Sequence, residues 1–259
     1  MNQYILEIEN TLSLSPKRIS SQHPESYIGG GQSKLRFIGL RVPQLQQAMR
    51  NGFSFSNEEP DQQAKIWDYI WWNSDCYEVM SLALSWYYDS KQRKNLSQYW
   101  SKLKKWSEKI DNWAHSDSLS GIFARILEEN PEKVYPTLVE WNSSTNPWLR
   151  RLSIVSLLYY SSQRKKFLPL KKILTLVQSQ LYYDHYYVQK GVGWTLREAY
   201  NVYPKSTLLF LKKNIRNISA QAFSAATEKL SSEQKMQLKE LRKRKTVGKR
   251  NLFKIKNKK

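Results

Sequence analysis

Apolar side chains recur with helical spacing along most of the chain, and this periodicity constrains the fold more than any other feature. Glycine and proline, nine of each in 259 residues, fall mainly between the periodic segments. Short alternating segments typical of strands are scarce, so the pattern predicts an all-α protein. We expect helices near residues 2–13, 43–51, 58–73, 76–89, 95–106, 112–129, 132–142, 147–161, 167–182, 185–203, 205–213, 219–229 and 232–245.

Three of the longer predicted helices begin at regular intervals. Trp113, Trp148 and the segment opening at Asp184 each follow a short helix, at separations of about 35 residues, a spacing typical of HEAT or armadillo repeats. We therefore expect one domain over residues 1–245, an α-solenoid of HEAT-like helical pairs with a concave face that can bind a partner. Two regions are predicted to be irregular: residues 15–37, and a basic tail over 246–259 that is too charged to bury itself.

Cysteine and histidine are too few to build a disulfide framework or a structural zinc site. The chain has one cysteine, Cys76, and three scattered histidines, His23, His115 and His185. We therefore expect no metal and no cofactor. No segment approaches the roughly 20 apolar residues of a membrane span, and the first residues lack a secretion-signal pattern. We expect a cytoplasmic, nucleoid-associated monomer with no membrane partner.

The positive charge is concentrated in the second half of the chain. Residues 1–149 hold 16 basic and 17 acidic side chains, whereas residues 150–216 hold 13 basic and 2 acidic ones. Residues 239–259 add 11 basic side chains against one acidic. Such asymmetry favours a polyanion partner, DNA or RNA, over the alternative of a generally basic protein.

Two tryptophans are predicted to lie away from the apolar stripes of their helices. In the helix after Asp111, Trp113 and Asp117 share a face roughly opposite the stripe. In the helix over 185–203, Trp194 projects away from the stripe, with Lys190 and Arg197 on its own face. A tryptophan flanked by cations suits a surface that holds a base or sugar while neutralising phosphates.

Each of these residues also has a purely structural interpretation. Trp113 or Trp194 could pack against a neighbouring repeat, and Asp117 could complement the helix dipole. Arg151 lies in a helix that is apolar nearly all round, so we expect a half-buried guanidinium bound to a carboxylate or a phosphate. Five other tryptophans are predicted to be packing residues: Trp67, Trp71, Trp72, Trp86 and Trp100.

Three segments resemble the DNA alkylation repair family of HEAT-like DNA glycosylases, the AlkD type. They are IDNWAHSD (110–117), NPWLRRLSIVSLL (146–158) and YVQKGVGWTLREAY (187–200), and a weaker match is RFIGLRVPQL (36–45). The family's catalytic pattern falls here on Trp113, Asp117, Arg151 and Trp194. Two of these are the tryptophans that the helical faces also select.

The resemblance implies a monofunctional enzyme that hydrolyses the N-glycosidic bond of N3- and N7-alkylated purines in double-stranded DNA. Asp117 would stabilise the developing oxocarbenium ion, and Trp113 and Trp194 would lie against the sugar. Arg151 would either grip a phosphate or hold Asp117, and both roles stay open. The predicted DNA contacts are Tyr27, Arg150, Lys190 and Arg197.

Two other functions are compatible with the sequence. One is a non-catalytic binder of damaged or branched DNA with the same fold. The other is a HEAT-type protein scaffold, which gives no reason for Trp194 between Lys190 and Arg197. Retention of all four catalytic positions favours the enzyme.

Overall fold

A computed structural model describes residues 1–15, 24–29, 32–88 and 96–243 of the chain. Within these residues the fold is all-helical, and the only bridge between extended segments joins Arg36 to Cys76. The α-helices are α1 (Asn2–Ser13), α2 (Pro24–Gly29), α3 (Val42–Asn51), α4 (Pro60–Asn73), α5 (Tyr77–Tyr88), α6 (Trp100–Trp106), α7 (Trp113–Glu129), α8 (Pro131–Trp141), α9 (Pro147–Val155), α10 (Leu170–Gln180), α11 (Tyr186–Val202), α12 (Pro204–Asn214), α13 (Ala220–Ala226) and α14 over 232–243.

The predicted helices are confirmed, with corrections where tertiary contacts change a helix end. The helix predicted over 147–161 ends at Val155, because the chain then turns toward a carboxylate of another helix. The helix predicted near 95–106 begins at Trp100, after a 3₁₀ turn over residues 96–99. Part of the segment predicted to be irregular is instead the short helix α2, which packs on α7.

The chain contacts cluster into two compact units, one from Met1 to Asn130 and one that begins at Pro131. The single domain predicted over residues 1–245 stays a prediction. The predicted tail over 246–259 lies outside the described residues.

Helices α4 and α6 of the first unit lie parallel and in register. Four hydrogen-bonded pairs, from α6 and the 3₁₀ turns on either side of it, are each separated by 38 residues. The donors lie at positions i, i+3, i+7 and i+10 of one helical face, which is the arrangement of two stacked helical repeats. The pairs are Tyr99 with Asp61, Lys102 with the Ala64 carbonyl, Trp106 with Asp68, and Lys109 with the Trp71 carbonyl.

The second unit has the same register. Gln180 donates to the Asn142 carbonyl at 2.7 Å, and Tyr183 donates to the Thr145 carbonyl at 3.3 Å, again 38 residues apart. The predicted spacing of about 35 residues is therefore close to the observed repeat. Helix α11 contacts α9, α10, α12 and α13 and is the central element of this unit.

A buried carboxylate holds the backbone of the RFIGL segment, residues 36–40 of the first unit. Glu78, only 1% exposed, accepts hydrogen bonds from the backbone amides of Ile38, Gly39 and Leu40 at 2.7–3.2 Å. Three consecutive amides can converge on one carboxylate because Gly39 adopts a φ of +90°. The segment therefore binds the protein's own carboxylate and leads directly into α3.

The predicted apolar stripes are confirmed, and so are most of the packing tryptophans. Leu119, Ile122, Phe123 and Ile126 of α7 are fully buried, and the stripe of α11 is fully buried from Val188 to Ala199. Of the five tryptophans predicted to pack in the core, Trp72 is the exception. It is 39% exposed, while its neighbour Trp71 is fully buried and stacks on Trp106 at 4.6 Å. At about 100° per residue, Trp72 points roughly away from the buried face of α4, which is formed by Ile66, Trp67, Ile70 and Trp71.

Candidate functional site

Trp113 begins helix α7 in the first unit and is held there by two contacts with Tyr27. The indole Nε1 donates to the Tyr27 carbonyl at 2.9 Å, and the two rings meet edge to face at 5.5 Å. Tyr27 is 63% exposed and Trp113 is partly exposed. The structure thus brings together two predicted site residues that are 86 positions apart.

Asp117 lies one helical turn after Trp113 on the same helix. Its exposure is 9%, so the carboxylate lies at the edge of the protein interior rather than on an open face. In such an environment a charge interacts more strongly with its surroundings than it would in water. The role predicted for Asp117 stays a prediction.

His115, between these two residues, anchors the beginning of the helix. Its Nε2 lies 2.9 Å from the Ser81 hydroxyl and 3.1 Å from the Tyr77 carbonyl, while Nδ1 lies 3.1 Å from the Asn112 amide nitrogen. Since a carbonyl only accepts, Nε2 carries the proton and Nδ1 accepts from Asn112. Burial lowers the pKa of His115 to about 4. The ring is therefore neutral at pH 7 and supports the helix.

Arg151 lies on α9 in the second unit and is more buried than predicted. It is 4% exposed, where a half-buried side chain was expected, and its Nη1 donates to the Tyr187 carbonyl at the beginning of α11. Burial and the nearby Arg151 charge lower the pKa of His185, the residue that precedes α11. The Tyr187 contact corresponds to neither of the two roles predicted for Arg151, and both remain predictions.

Trp194, on α11, is partly exposed and lies in a group of aromatic rings. Its ring is 5.0 Å from that of Tyr159 and 5.6 Å from that of Tyr160. Its Nε1 donates to the Glu198 carboxylate one turn later, at 3.3 Å. The indole is thus oriented by its neighbours and remains partly exposed.

Two predicted DNA-binding cations of the second unit, Lys190 and Arg197, differ in the contacts that they make within the protein. Lys190 is exposed. Arg197 lies 5.6 Å over the Trp194 ring and forms ion pairs with Glu228 at 2.8 Å and Glu198 at 3.3 Å. Of these two cations, Lys190 is therefore the more accessible to a phosphate.

Arg150 binds carbonyl groups of the protein's own backbone. Its guanidinium donates to the carbonyls of Asn142 and Ser143, just after the end of α8, and lies 4.1 Å over the Tyr183 ring. These contacts tie α9 to the turn that follows α8. The predicted contact between Arg150 and DNA is not tested by this arrangement and stays a prediction.

Comparisons with known proteins decide the family. A family model described as "DNA alkylation repair enzyme" matches residues 18–230. The chain belongs to this DNA alkylation repair family. No curated protein sequence matches significantly.

Solved structures with the same fold include two bacterial proteins. One is described as a predicted DNA alkylation repair enzyme from Enterococcus faecalis, with a TM-score of 0.58, 14% identity and coverage of 77% of this chain and 90% of the other. The second is AlkD2 from Streptococcus mutans, with a TM-score of 0.54, 19% identity and coverage of 89% and 99%. At these identities the likeness establishes the fold, and the family rests on the sequence match.

The family assignment supports a role in DNA repair and leaves the individual site residues as predictions. Among the described residues, no group of three His, Cys, Asp or Glu side chains could hold a metal ion. Within the same ranges, no helix has both the length and the apolar character needed to span a membrane. The single thiol, Cys76, is buried, and burial raises its pKa to about 11, so it is a poor nucleophile.

Three residues near Trp194 were not found by the sequence analysis. Glu198 is one turn after Trp194 and belongs to the matched GWTLRE segment, and an acidic residue predicted on a mostly buried helix could have signalled a need for partners. Tyr159 and Tyr160 had no such signal, because they were assigned to the continuous helix predicted over 147–161.

Proposed function

We propose that this member of the DNA alkylation repair family is a monofunctional DNA glycosylase acting on N3- and N7-alkylated purines, such as 3-methyladenine and 7-methylguanine, in duplex DNA. The observation that supports this function best is the Trp113–Asp117 pair of α7. It combines a partly exposed indole with a nearly buried carboxylate one turn away. Both residues lie within the range that the family model matches.

The substrate supplies its own leaving group in this reaction. A purine alkylated at N3 or N7 is cationic, so it can leave without a proton from a general acid. The bond between the base and the sugar breaks, its electron pair goes to the base, and positive charge develops on the deoxyribose, as in other glycosyl transfers. The protein has to stabilise that charge and direct a water molecule to the sugar.

Asp117 is suited to both tasks. A carboxylate of low exposure attracts a developing cation more strongly than one in bulk water. The same oxygens can accept a proton from the attacking water, which then adds to the anomeric carbon. Since water is the nucleophile, the proposal involves no Schiff base and no strand cleavage.

The two tryptophans would contribute through the faces of their rings. An indole face attracts positive charge, by about 0.5–2 kcal/mol depending on desolvation. The Tyr27 carbonyl orients Trp113 through the indole nitrogen, so the ring does not have to be ordered when DNA binds. Trp194 of the second unit is oriented through Glu198 in the same way.

The remaining contacts are proposed to be with the DNA backbone. Lys190, because it is exposed, is the favoured phosphate ligand of the second unit. For Arg151, which is 4% exposed and donates to the Tyr187 carbonyl, a phosphate contact and a contact with Asp117 both stay open. Tyr27, at 63% exposure, is the proposed contact of the first unit.

The decisive experiment measures release of 7-methylguanine from methylated duplex DNA by the wild type and by Asp117→Asn, with duplex binding measured in parallel. We expect at least about a hundredfold loss of the release rate, typical of removing an electrostatic catalytic group, while the affinity for duplex stays within a few-fold. Asp184→Asn is the matched control, because it removes an exposed carboxylate just before α11 and should leave both quantities unchanged.

Two other outcomes correspond to the alternative functions. A wild type that binds duplex DNA but releases neither 7-methylguanine nor 3-methyladenine would contradict the enzyme proposal. The protein would then be a non-catalytic binder of damaged or branched DNA. A wild type that binds no DNA would point to a protein scaffold.

A further inference from the structure

The chain after α9 contains an unusual backbone conformation. Tyr160 has φ 42° and ψ 68°, and among the described residues it is the only non-glycine residue with a positive φ. An L-residue with a bulky side chain rarely adopts this conformation, since Cβ then lies close to the backbone. Surrounding contacts must therefore hold Tyr160 in it, and such residues are frequent at functional sites.

Glu198 supplies those contacts. It is 6% exposed, and its Oε2 accepts from the backbone amide and the hydroxyl of Ser161 at 2.9 and 2.7 Å. Its Oε1 accepts from the Trp194 indole and from Arg197, both at 3.3 Å. One buried carboxylate thus orients Trp194 and holds the residue that follows Tyr160.

As a result, two aromatic rings from distant parts of the second unit meet at the surface. The Tyr160 and Trp194 rings are 5.6 Å apart with an interplanar angle of 72°, and Tyr159 packs against both. Tyr160 is 43% exposed and Trp194 is partly exposed. We call the pair Tyr160–Trp194 the aromatic corner.

We propose that the aromatic corner is a binding site for an unstacked nucleotide of DNA, with Tyr160 as a specificity-determining residue and Glu198 as a positioning residue. The inference rests on the proposed function in that the partner is DNA, and it does not depend on the glycosylase reaction.

The geometry and charge of the corner favour this ligand. A base stacked within a duplex presents only its edges, so its face can lie against an aromatic ring only after it leaves the stack. An aromatic ring that is exposed for stacking therefore favours distorted DNA over regular duplex. The surrounding sequence over residues 150–216, with 13 basic and 2 acidic side chains, matches a polyanion.

The test compares affinities for a duplex with a one-nucleotide bulge and for the same duplex fully paired. We expect wild type to bind the bulged duplex more tightly than the paired one. In Tyr160→Gly the ratio of these two affinities should fall about tenfold, in the range found when a base loses an aromatic stacking partner. Affinity for the paired duplex should be unchanged. Tyr160→Phe keeps the ring and should retain the preference, and so should Tyr182→Ala, which removes another exposed tyrosine.

Stability measurements distinguish recognition from a structural role. Glycine adopts the left-handed conformation without strain, and this gain offsets the loss of the ring contacts with Tyr159 and Trp194 and the greater freedom of the unfolded chain. The thermal midpoint of Tyr160→Gly should therefore stay within a few degrees of that of wild type. If the midpoint falls and both affinities decrease in parallel, Tyr160 is structural and the proposal is wrong.

Glu198→Gln tests the positioning role. In this variant the amide NH2 group would replace one carboxylate oxygen and face a donor that now has an acceptor. The contacts that orient Trp194 and hold the Ser161 turn should therefore be lost. We expect the preference for the bulged duplex to fall about tenfold, as in Tyr160→Gly, with the paired-duplex affinity retained. An unchanged preference in a folded Glu198→Gln would remove Glu198 from the proposal.

The two proposals fail in different ways. Methylpurine release by a wild type without any preference for the bulge would overturn the aromatic corner alone. A preference that depends on Tyr160, without methylpurine release, would overturn the glycosylase alone. A wild type that binds neither duplex would overturn both.

Discussion

At the scale of single residues, buried polar groups orient the candidate site. His115 fixes the beginning of the helix that carries Trp113 and Asp117, and Glu198 orients Trp194 from within its own helix. Neither group is among the predicted catalytic residues. A polar side chain in the interior must find partners, and those partners are then held in place.

The buried His115 should make folding stability depend on pH. Its pKa is about 4 in the folded protein against an ordinary value of 6.5. Above pH 6.5 the His115 ring is neutral in both the folded and the unfolded state, so it has no effect on the pH dependence of stability. As the pH falls from 6.5 to 4, the unfolded chain takes up a proton that the folded protein does not, and the free energy of unfolding decreases. A difference of about 2.5 pKa values corresponds to roughly 3 kcal/mol in the free energy of unfolding.

Urea unfolding of wild type and His115→Gln at pH 7 and at pH 4.5 measures this contribution. The variant should be less stable than wild type at pH 7, because it loses the ring contacts with Tyr77 and Trp71. Its stability should also fall less between the two pH values. An equal fall in both proteins would show that His115 is not the group that titrates.

At the scale of helices, a glycine allows α11 and α13 to pack at a short distance. A Cβ added at Gly193 would lie 2.5 Å from the Ala222 carbonyl oxygen and 2.8 Å from the Ala225 Cβ. The obstruction is largely backbone, so the two helices would have to separate. This close approach explains a glycine next to Trp194 on a helix that would otherwise prefer alanine.

Gly193→Ala should therefore lower the free energy of unfolding by about 2 kcal/mol or more, as expected for an overpacked interface. Gly191→Ala is the control on the same helix. Its added Cβ would meet side-chain atoms of Val155 and Arg151 at 3.2 and 3.3 Å. These are side-chain atoms at longer distances, so the shift required is only a few tenths of an ångström, and the gain of about 1 kcal/mol in helix propensity partly offsets the contact. Similar losses in the two variants, measured by urea unfolding, would contradict this explanation.

At the scale of the whole molecule, uneven charge should govern how DNA binding responds to salt. The formal net charge is +20, and the surplus belongs to the second half of the sequence. Binding that neutralises phosphates releases counterions, so affinity should fall steeply with salt concentration.

Lys190→Ala should weaken binding to every DNA sequence and reduce the slope of log K against log salt by about 0.9, the value for one phosphate contact. Arg197→Ala should change the slope less, because Glu228 and Glu198 already neutralise that guanidinium. Lys65→Ala, an exposed lysine of the near-neutral first half, is the control and should leave the slope unchanged. A slope unaffected by Lys190→Ala would remove this lysine from the interface.

The amino-acid sequence by itself determined the helical class, the spacing of the repeats, the buried stripes of α7 and α11, and the family. These properties depend on local periodicity and on short segments such as GWTLRE, which can be read without knowing the neighbours of each helix. The candidate residues Trp113 and Trp194 also followed from local geometry, since a helical face is set by residue spacing alone.

Tertiary structure decided where α9 ends, which cations remain accessible and how the candidate rings are oriented. The turn at Tyr160 depends on Glu198, 37 residues beyond Ser161, and the orientation of Trp113 depends on Tyr27, 86 residues before it. Arg150, a predicted DNA contact, also donates to the carbonyls that follow α8, which its own helix does not reveal. Periodicity predicts which way a side chain points from its own helix, whereas its partner depends on how distant segments pack.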